Sequence, residues 1–268
     1  MKTLTPLIKI DIRRFRLLNL LIKDESKNIF GTFKDRRSGL ILKNAMEERI
    51  DKLVLITSGN AGYSLGRFAK DSKIKIVCIV DKNLKNSIKN ELRKYSKLVE
   101  VDLSKKILRP EMVISLAREN DEEVIWDVTN GFHEAYEQII EEIKKIIKPD
   151  YIILPVGSGE AFVGLYNGIK KYKLKTRLIG VEVKNKWVSF ADKLHTPWTP
   201  YRSKIQSILK EGHKIISLDE AGIKTAFKEN NKIVDIEPSS SVVFGVLPKL
   251  KFEKKDKIIL INSGRGLY

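Results

Sequence analysis

Three apolar runs in this chain each end in a short glycine-bearing turn, and that punctuation limits the available folds more than any other feature. Lys52–Thr57 runs into Ser58-Gly59-Asn60-Ala61-Gly62. Tyr151–Val156 runs into Gly157-Ser158-Gly159-Glu160-Ala161, and Lys257–Asn262 into Ser263-Gly264-Arg265-Gly266. Helical spacing follows the first two turns, over Ala61–Lys70 and Ala161–Tyr172. Between and after them the alternation continues. Lys73–Val80, Leu98–Val101, Val124–Val128, Thr176–Val183, His213–Leu218 and Lys232–Ile236 read as strands. Asn86–Lys94, Arg109–Arg118, Phe132–Ile147, Asp219–Asn230 and Ser239–Leu250 read as helices. Strands alternating with helices predict an α/β fold with mostly parallel sheet. Residues 184–212, with Trp187, Pro197, Trp198 and Pro200, show no period and read as a loop-rich stretch that lines a site or an interface.

The bulk properties exclude several classes. At 268 residues, 42% hydrophobic and 32% charged, the chain suits one large globular domain or two intimate ones. Runs such as Ile76–Val80 are too short to span a bilayer, and the N-terminus lacks a signal-peptide pattern, so no membrane association is expected. A single cysteine, Cys78, excludes an intrachain disulfide and points to the cytoplasm; inside an apolar run it reads as core. The net charge of +17 raises nucleic acid as a partner. Yet the lysines are spread along helices beside glutamates, with no arginine-rich block, so nucleic acid is not expected. The Lys/Ile/Glu-rich composition also suits a thermophile. Three histidines and one cysteine without ligand spacing predict no metal site.

Four segments carry chemistry. Gly31-Thr32-Phe33-Lys34-Asp35-Arg36 offers an amine, Lys34, at the start of a helix with apolar Leu40, Ile41 and Ala45. Asn60 offers an amide beside a turn whose N–H groups, with Thr57 and Ser58 hydroxyls, suit an anion; a strand–helix turn capped by Asn would look the same. Gly157-Ser158-Gly159 opens a helix and suits a second anion, without the residues of a Walker loop. Ser263 places a hydroxyl at the end of the last apolar run.

On these four strings the chain resembles the fold type II pyridoxal phosphate (PLP) enzymes, the group of tryptophan synthase β, cysteine synthase and threonine dehydratase. Gly-Thr-Phe-Lys-Asp-Arg and Ser-Gly-Asn-Ala-Gly-Tyr-Ser-Leu-Gly are most similar to threonine synthase. The resemblance runs from Thr5 to Tyr268. It implies two three-layer α/β/α domains with PLP in the cleft between them. The larger would be built from 1–40 and 132–268, and a smaller one, 41–131, inserted. It implies that Lys34 holds PLP covalently and acts as the catalytic base. Asn60 would bond the ring hydroxyl. Gly157, Ser158, Gly159, Glu160 and Ala161 would seat the phosphate, and Ser263 would face the pyridine nitrogen. Thr57, Ser58, Gly59 and Asn60 would bind the substrate carboxylate. Glu160 stands where the family has a small residue and is expected to face outward. Ser263 matches cysteine synthases, since threonine synthases carry Thr there. His133 is a weaker substrate candidate, and Glu237-Pro238-Ser239 reads as a helix cap.

The implied activity is a PLP-dependent lyase or synthase acting by β- or γ-elimination or replacement on an amino acid. The threonine-synthase form converts O-phosphohomoserine to threonine and phosphate, with Arg36, Arg37 and Arg265 as candidates for the substrate phosphate. The alternatives are a serine/threonine dehydratase, a cysteine-synthase-like β-replacement enzyme, or a PLP-binding paralogue with little turnover. A homodimer is implied as well.

Overall fold

The structure of the chain is a computed structural model that describes residues 4–10, 15, 17–103, 109–121, 123–185, 189–194 and 199–267. Trp187, His195, Pro197 and Trp198 lie outside the described residues. The strands are β1 (Leu7–Lys9), β2 (Asn19–Asp24), β3 (Lys52–Ile56), β4 (Lys75–Asp81), β5 (Lys97–Val101), β6 (Trp126–Asp127), β7 (Tyr151–Pro155), β8 (Arg177–Val183), β9 (Lys214–Leu218) and β10 (Lys257–Asn262). The helices are α1 (Lys34–Glu47), α2 (Asn60–Ala69), α3 (Asn86–Arg93), α4 (Pro110–Ala117), α5 (Glu137–Lys144), α6 (Glu160–Lys171), α7 (Arg202–Lys210), α8 (Glu220–Asn230) and α9 (Pro238–Gly245). None of the described helices is long and apolar enough to cross a membrane.

Two compact units divide the chain, one holding Lys34–Phe132 with the residues from Gly266, the other holding the chain up to Phe33 with His133–Arg265. Helix α1 therefore falls with Lys34–Phe132, whereas the resemblance put residues up to 40 with the chain ends. Ile41 and Ala45 explain it: both are buried in one cluster with Leu53 and Leu55 of β3.

In the first unit the order β5-β4-β3-β6 makes a four-stranded sheet, parallel throughout. Alternate side chains take opposite faces. Leu53, Leu55, Cys78 and Val80 pack with Ile41 of α1, Leu65 of α2 and Leu92 of α3, while Val54, Val77 and Ile79 pack with Val113 and Ala117 of α4. This unit is a three-layer α/β/α arrangement. Helices on both faces explain why its strands read as unbroken apolar runs.

In the second unit the order is β1-β2-β10-β7-β8-β9, parallel except for β1 against β2. Ile153, Ile179, Ile258 and Leu260 face α8 and α9 residues such as Ile223, Val243 and Phe244. Ile152, Leu154, Ile259 and Ile261 face α5, α6 and α7 residues such as Ile140, Leu165 and Ile208. It too has three layers.

Three expectations change. Lys232–Ile236 forms no strand: the backbone carbonyl of Asp235 accepts a hydrogen bond from the Asn262 side chain instead, and both edges of β10 are taken by β2 and β7. Phe132–Ile147 is not one long helix but a short 3₁₀ turn, His133–Tyr136, followed by α5. The stretch 184–212 carries a regular helix, α7, whose Ile208 is buried.

Candidate active site

Helix α1 precedes β3 and α2 follows it, each by a short connection, so both run antiparallel to β3 and parallel to each other. Their side-by-side packing is fixed by a buried hydrogen bond, Ser64 Oγ to Ser38 Oγ at 2.8 Å. Lys34 lies one turn before Ser38, and Asn60 one turn before Ser64. Both first residues thus sit at the C-terminal end of β3, within the same unit. Lys34 is half-buried, and Asn60 is buried at the start of α2.

The turn between β3 and α2 is built by Thr57. Its N–H donates to Ile79 O at 3.0 Å, and its Oγ1 accepts from Gly59 N at 3.0 Å and Gly62 N at 3.1 Å. The hydroxyl oxygen is therefore occupied in shaping the turn, and its proton is what it can offer a ligand. Ser58 is exposed, and Gly59 holds φ +136. Gly62 is required by packing: a Cβ there would lie 2.7 Å from both Cys78 Sγ and Thr57 Cγ2. Gly62→Ala is expected to cost about 1–3 kcal/mol through overpacking, read as a lower urea midpoint at unchanged slope. Burial pushes the Cys78 thiol up to about 12, so it stays protonated beneath the turn, consistent with its expected core role.

Two further segments meet in the second unit. β10 and β7 are parallel neighbours, with Leu260 opposite Ile153, so Ser263 and the loop from Gly157 lie at adjacent C-terminal strand ends. Ligands of open parallel sheets bind at such ends. Gly159 is left-handed at φ +88, and a Cβ there would lie 2.5 Å from Ile205 Cδ1. The N–H groups of Gly157, Ser158 and Gly159 donate to none of the described residues, and they precede the positive end of α6. Ala161 is buried in the first turn.

Glu160 corrects the expectation that it faces outward. Its side chain is 1% exposed, and its Oε1 accepts from the Tyr201 hydroxyl at 3.3 Å. Sequence reading missed Tyr201 because it lies in the aperiodic stretch. The residue is held over the loop by Thr199, whose Oγ1 accepts from Tyr201 N at 3.1 Å and donates to Ser158 O.

Ser263 is held by a network that the sequence did not announce. Its N–H donates to Ser240 Oγ at 2.7 Å, and Ser240 Oγ donates to Asn262 Oδ1 at 2.9 Å. Asn262 Nδ2 in turn donates to Asp24 Oδ1 at 2.8 Å. The carbonyl of Ser263 accepts from Phe33 N at 2.9 Å and Thr32 Oγ1 at 3.3 Å. Bonds to its N–H and carbonyl thus fix Ser263, and its hydroxyl bonds none of the described residues. The string Glu237-Pro238-Ser239-Ser240-Ser241 therefore does more than cap α9.

Arg37, a candidate for holding a substrate phosphate, is committed elsewhere: its buried guanidinium donates to the carbonyls of Val128 and Thr129 and lies over the Phe132 ring. Arg36 is buried as well, and Arg265 is exposed. His133 is half-buried, edge-on to Tyr201 with centroids 5.9 Å apart. A cavity of about 380 Å³ lined by Lys52, Lys75 and Lys97 lies at the N-terminal ends of β3, β4 and β5, away from every motif.

Over residues 2–264 the chain matches the family model described as "Pyridoxal-phosphate dependent enzyme". Among solved structures it is similar to maize serine racemase, with TM-score 0.81, 19% identity, and coverage of 98% of this chain and 88% of that one. It is similar to the O-acetylserine dependent cystathionine β-synthase of Helicobacter pylori, with TM-score 0.81, 18% identity, and coverage of 98% and 95%. The processed threonine deaminase isoform 2 of Solanum lycopersicum matches with TM-score 0.78, 17% identity, and coverage of 98% and 84%.

Proposed function

The chain belongs to the pyridoxal-phosphate dependent enzymes, and from that premise we propose that it eliminates or replaces a group at the β carbon of a hydroxy amino acid or its activated ester, as a serine/threonine dehydratase or a β-replacement synthase does. Ser263 carries this reading. A hydroxyl facing the pyridine nitrogen bonds it without protonating it, where a carboxylate would make a stronger electron sink. The moderate sink suits loss of a β leaving group. The commitment of Arg37 to Val128 and Thr129 removes one of the cations that an O-phosphohomoserine phosphate would need. The names of the similar structures, serine racemase, threonine deaminase and a synthase dependent on O-acetylserine, point to the same substrate class.

The residues present fit the cofactor. The left-handed Gly159 and the N–H groups of the 157–159 loop suit a phosphate, and the Ser263 hydroxyl suits a ring nitrogen. Lys34 Nζ would hold it covalently, and the Asn60 amide would donate to its ring hydroxyl. Bound PLP supplies the electron sink that makes the substrate α proton acidic. Once the substrate amine has replaced it at the cofactor, the freed Lys34 Nζ would take that proton from the α carbon. The α2 N-terminus, with the Ser58 hydroxyl and the proton of Thr57 Oγ1, orients the substrate carboxylate. Thr57 also holds the turn rigid, which fixes the geometry of proton removal.

The test is a panel of serine, threonine, O-acetylserine and O-phosphohomoserine with PLP-loaded protein, following 2-oxo acid and released acetate or phosphate. The expected result is 2-oxo acid from serine or threonine, or acetate release from O-acetylserine in the presence of a thiol. Turnover confined to O-phosphohomoserine would restore the threonine-synthase reading.

A further inference from the structure

We infer that His213 is a pH-sensitive latch: its neutral imidazole fastens the C-terminal end of a strap, residues 199–213, that lies over the Gly157–Gly159 loop, and protonation unfastens it. The strap meets the loop at its other end. Thr199 Oγ1 donates to Ser158 O, and Ile205 of α7 closes on Gly159. Between the two ends α7 is a nine-residue helix, which carries movement at one end to the other. The C-terminal fastening is a side chain standing in for a strand. β8 and β9 are parallel with Ile179 opposite Lys214, and His213 comes just before β9. There the Leu178 N–H donates to His213 Nδ1 at 2.9 Å. Leu178 is fully buried, so its N–H has no water to turn to. A backbone N–H can only donate. Nδ1 must therefore hold a lone pair, and the proton of the neutral ring sits on Nε2. Imidazolium carries a proton on both nitrogens and cannot accept.

Among the described residues, the charged and titratable groups facing the ring are Tyr166 and Lys170 of α6, Arg177 of β8 and Glu211 of the preceding turn. Tyr166 stands edge-on to it with centroids 5.4 Å apart. The Tyr166 hydroxyl donates to Glu211 Oε1 at 2.5 Å, and Lys170 Nζ to Glu211 Oε2 at 3.0 Å. Those bonds clip the same turn to α6, but Lys170 and Glu211 are exposed, and surface pairs add little. Nor do they titrate with the latch. Tyr166 and then Lys170 hold the Glu211 carboxyl below its usual range, so it stays ionised where a histidine titrates. Burial holds the His213 imidazole below the ordinary histidine value; Lys170 and Arg177 act in the same direction and Glu211 against it. The unfastened form therefore takes up a proton more readily than the fastened one. The latch is at full strength above the ordinary histidine value and weakens as pH falls through it. Ile208 stays packed in the core, so the acid form is a loosened strap and not an unfolded chain.

Hydrogen exchange at pH 7 and pH 5, expressed as protection factors so that intrinsic rates cancel, tests the latch without cofactor or activity. In the wild type, Leu178 and the amides of 205–212 are expected to lose protection by about fivefold or more at the lower pH, while β10 keeps its own. His213→Asn offers an acceptor oxygen close to the place of Nδ1 and does not titrate, so its strap should stay protected at both values. His213→Ala has no acceptor and should be loose at both. Thermal unfolding confirms that each variant is folded. Equal loss in the wild type and the asparagine variant, loss spread evenly over the chain, or an alanine variant as protected as the wild type at pH 7 overturns the proposal. If the loop seats the cofactor phosphate, as proposed above, PLP affinity should also fall further between these pH values in the wild type than in His213→Asn, a comparison that cancels titration of the phosphate itself. A strap that opens with no such difference leaves the latch standing and counts against the seat.

Discussion

Lys34→Ala is expected to abolish covalent capture of the cofactor. Treated with PLP and borohydride, the wild-type chain should carry the reduced adduct on the peptide containing Lys34, and the variant should not. Turnover of whichever amino acid proves to be the substrate should fall by about 10³-fold or more, because in the proposed reaction one side chain is both the covalent anchor and the base at the α carbon. Fold stability should change by only about 0.5 kcal/mol, since Lys34 is half-buried in a first helical turn and α1 is held by Ile41, Ala45 and the Ser38–Ser64 bond. Lys34→Arg keeps the positive charge but offers no amine for capture, so it should fail equally. Recovery of labelling or rate with arginine would mean that Lys34 acts through charge alone. Labelling of a different lysine in the wild type, in a chain with so many, would move the anchor and sink the assignment.

The reason Lys34 could be singled out from the sequence is local. Short strings at strand–helix junctions carry their own chemistry, and their order along the chain is preserved whatever the packing. The sheets were legible for a related reason: in β3, β4, β7 and β10 both faces are covered, so nearly every residue is apolar. β1 and β2 were missed. Lys23 and Asp24, buried polar residues at the end of β2, and Glu25 just after it break the apolar pattern that reveals the other strands. Glu160 was misjudged because a carboxylate at a helix start satisfies the same preference whether it points outward or inward. The inward placement shows only in contacts such as that with Tyr201, forty-one residues further on. The Asp24–Asn262–Ser240 network was invisible for the same reason, being assembled from three separated segments. Long-range side-chain pairing leaves no periodicity to read.

The same long-range pairing makes Lys23 the residue whose loss should most weaken the fold. Its side chain is 2% exposed, and its Nζ donates to Thr5 O and to Glu142 Oε2, both at 2.5 Å. Thr5 Oγ1 donates to Glu25 Oε1 at 2.6 Å, and Asn28 Nδ2 to Glu25 Oε2 at 2.8 Å. The ammonium thus bonds the Glu142 carboxylate directly and is linked to the Glu25 carboxylate through Thr5. Lys23→Met keeps the apolar stem but removes the ammonium bonded to Glu142, and breaking a buried pair from one side costs about 3–5 kcal/mol. The urea midpoint should fall accordingly. Lys23→Met with Glu142→Leu removes both charges of the pair and should recover part of the loss, because removing both partners of a buried pair costs less than removing one. A double variant as unstable as Lys23→Met alone would show that the cost is one of packing. The consequence reaches the site: Lys23 and Asp24 lie opposite Ile261 and Asn262 in register, and Asn262 anchors the Ser240 hydroxyl that holds Ser263. Displacing the end of β2 should therefore also move the group proposed to face the cofactor ring, and the single variant should bind PLP more weakly even under conditions where it is fully folded.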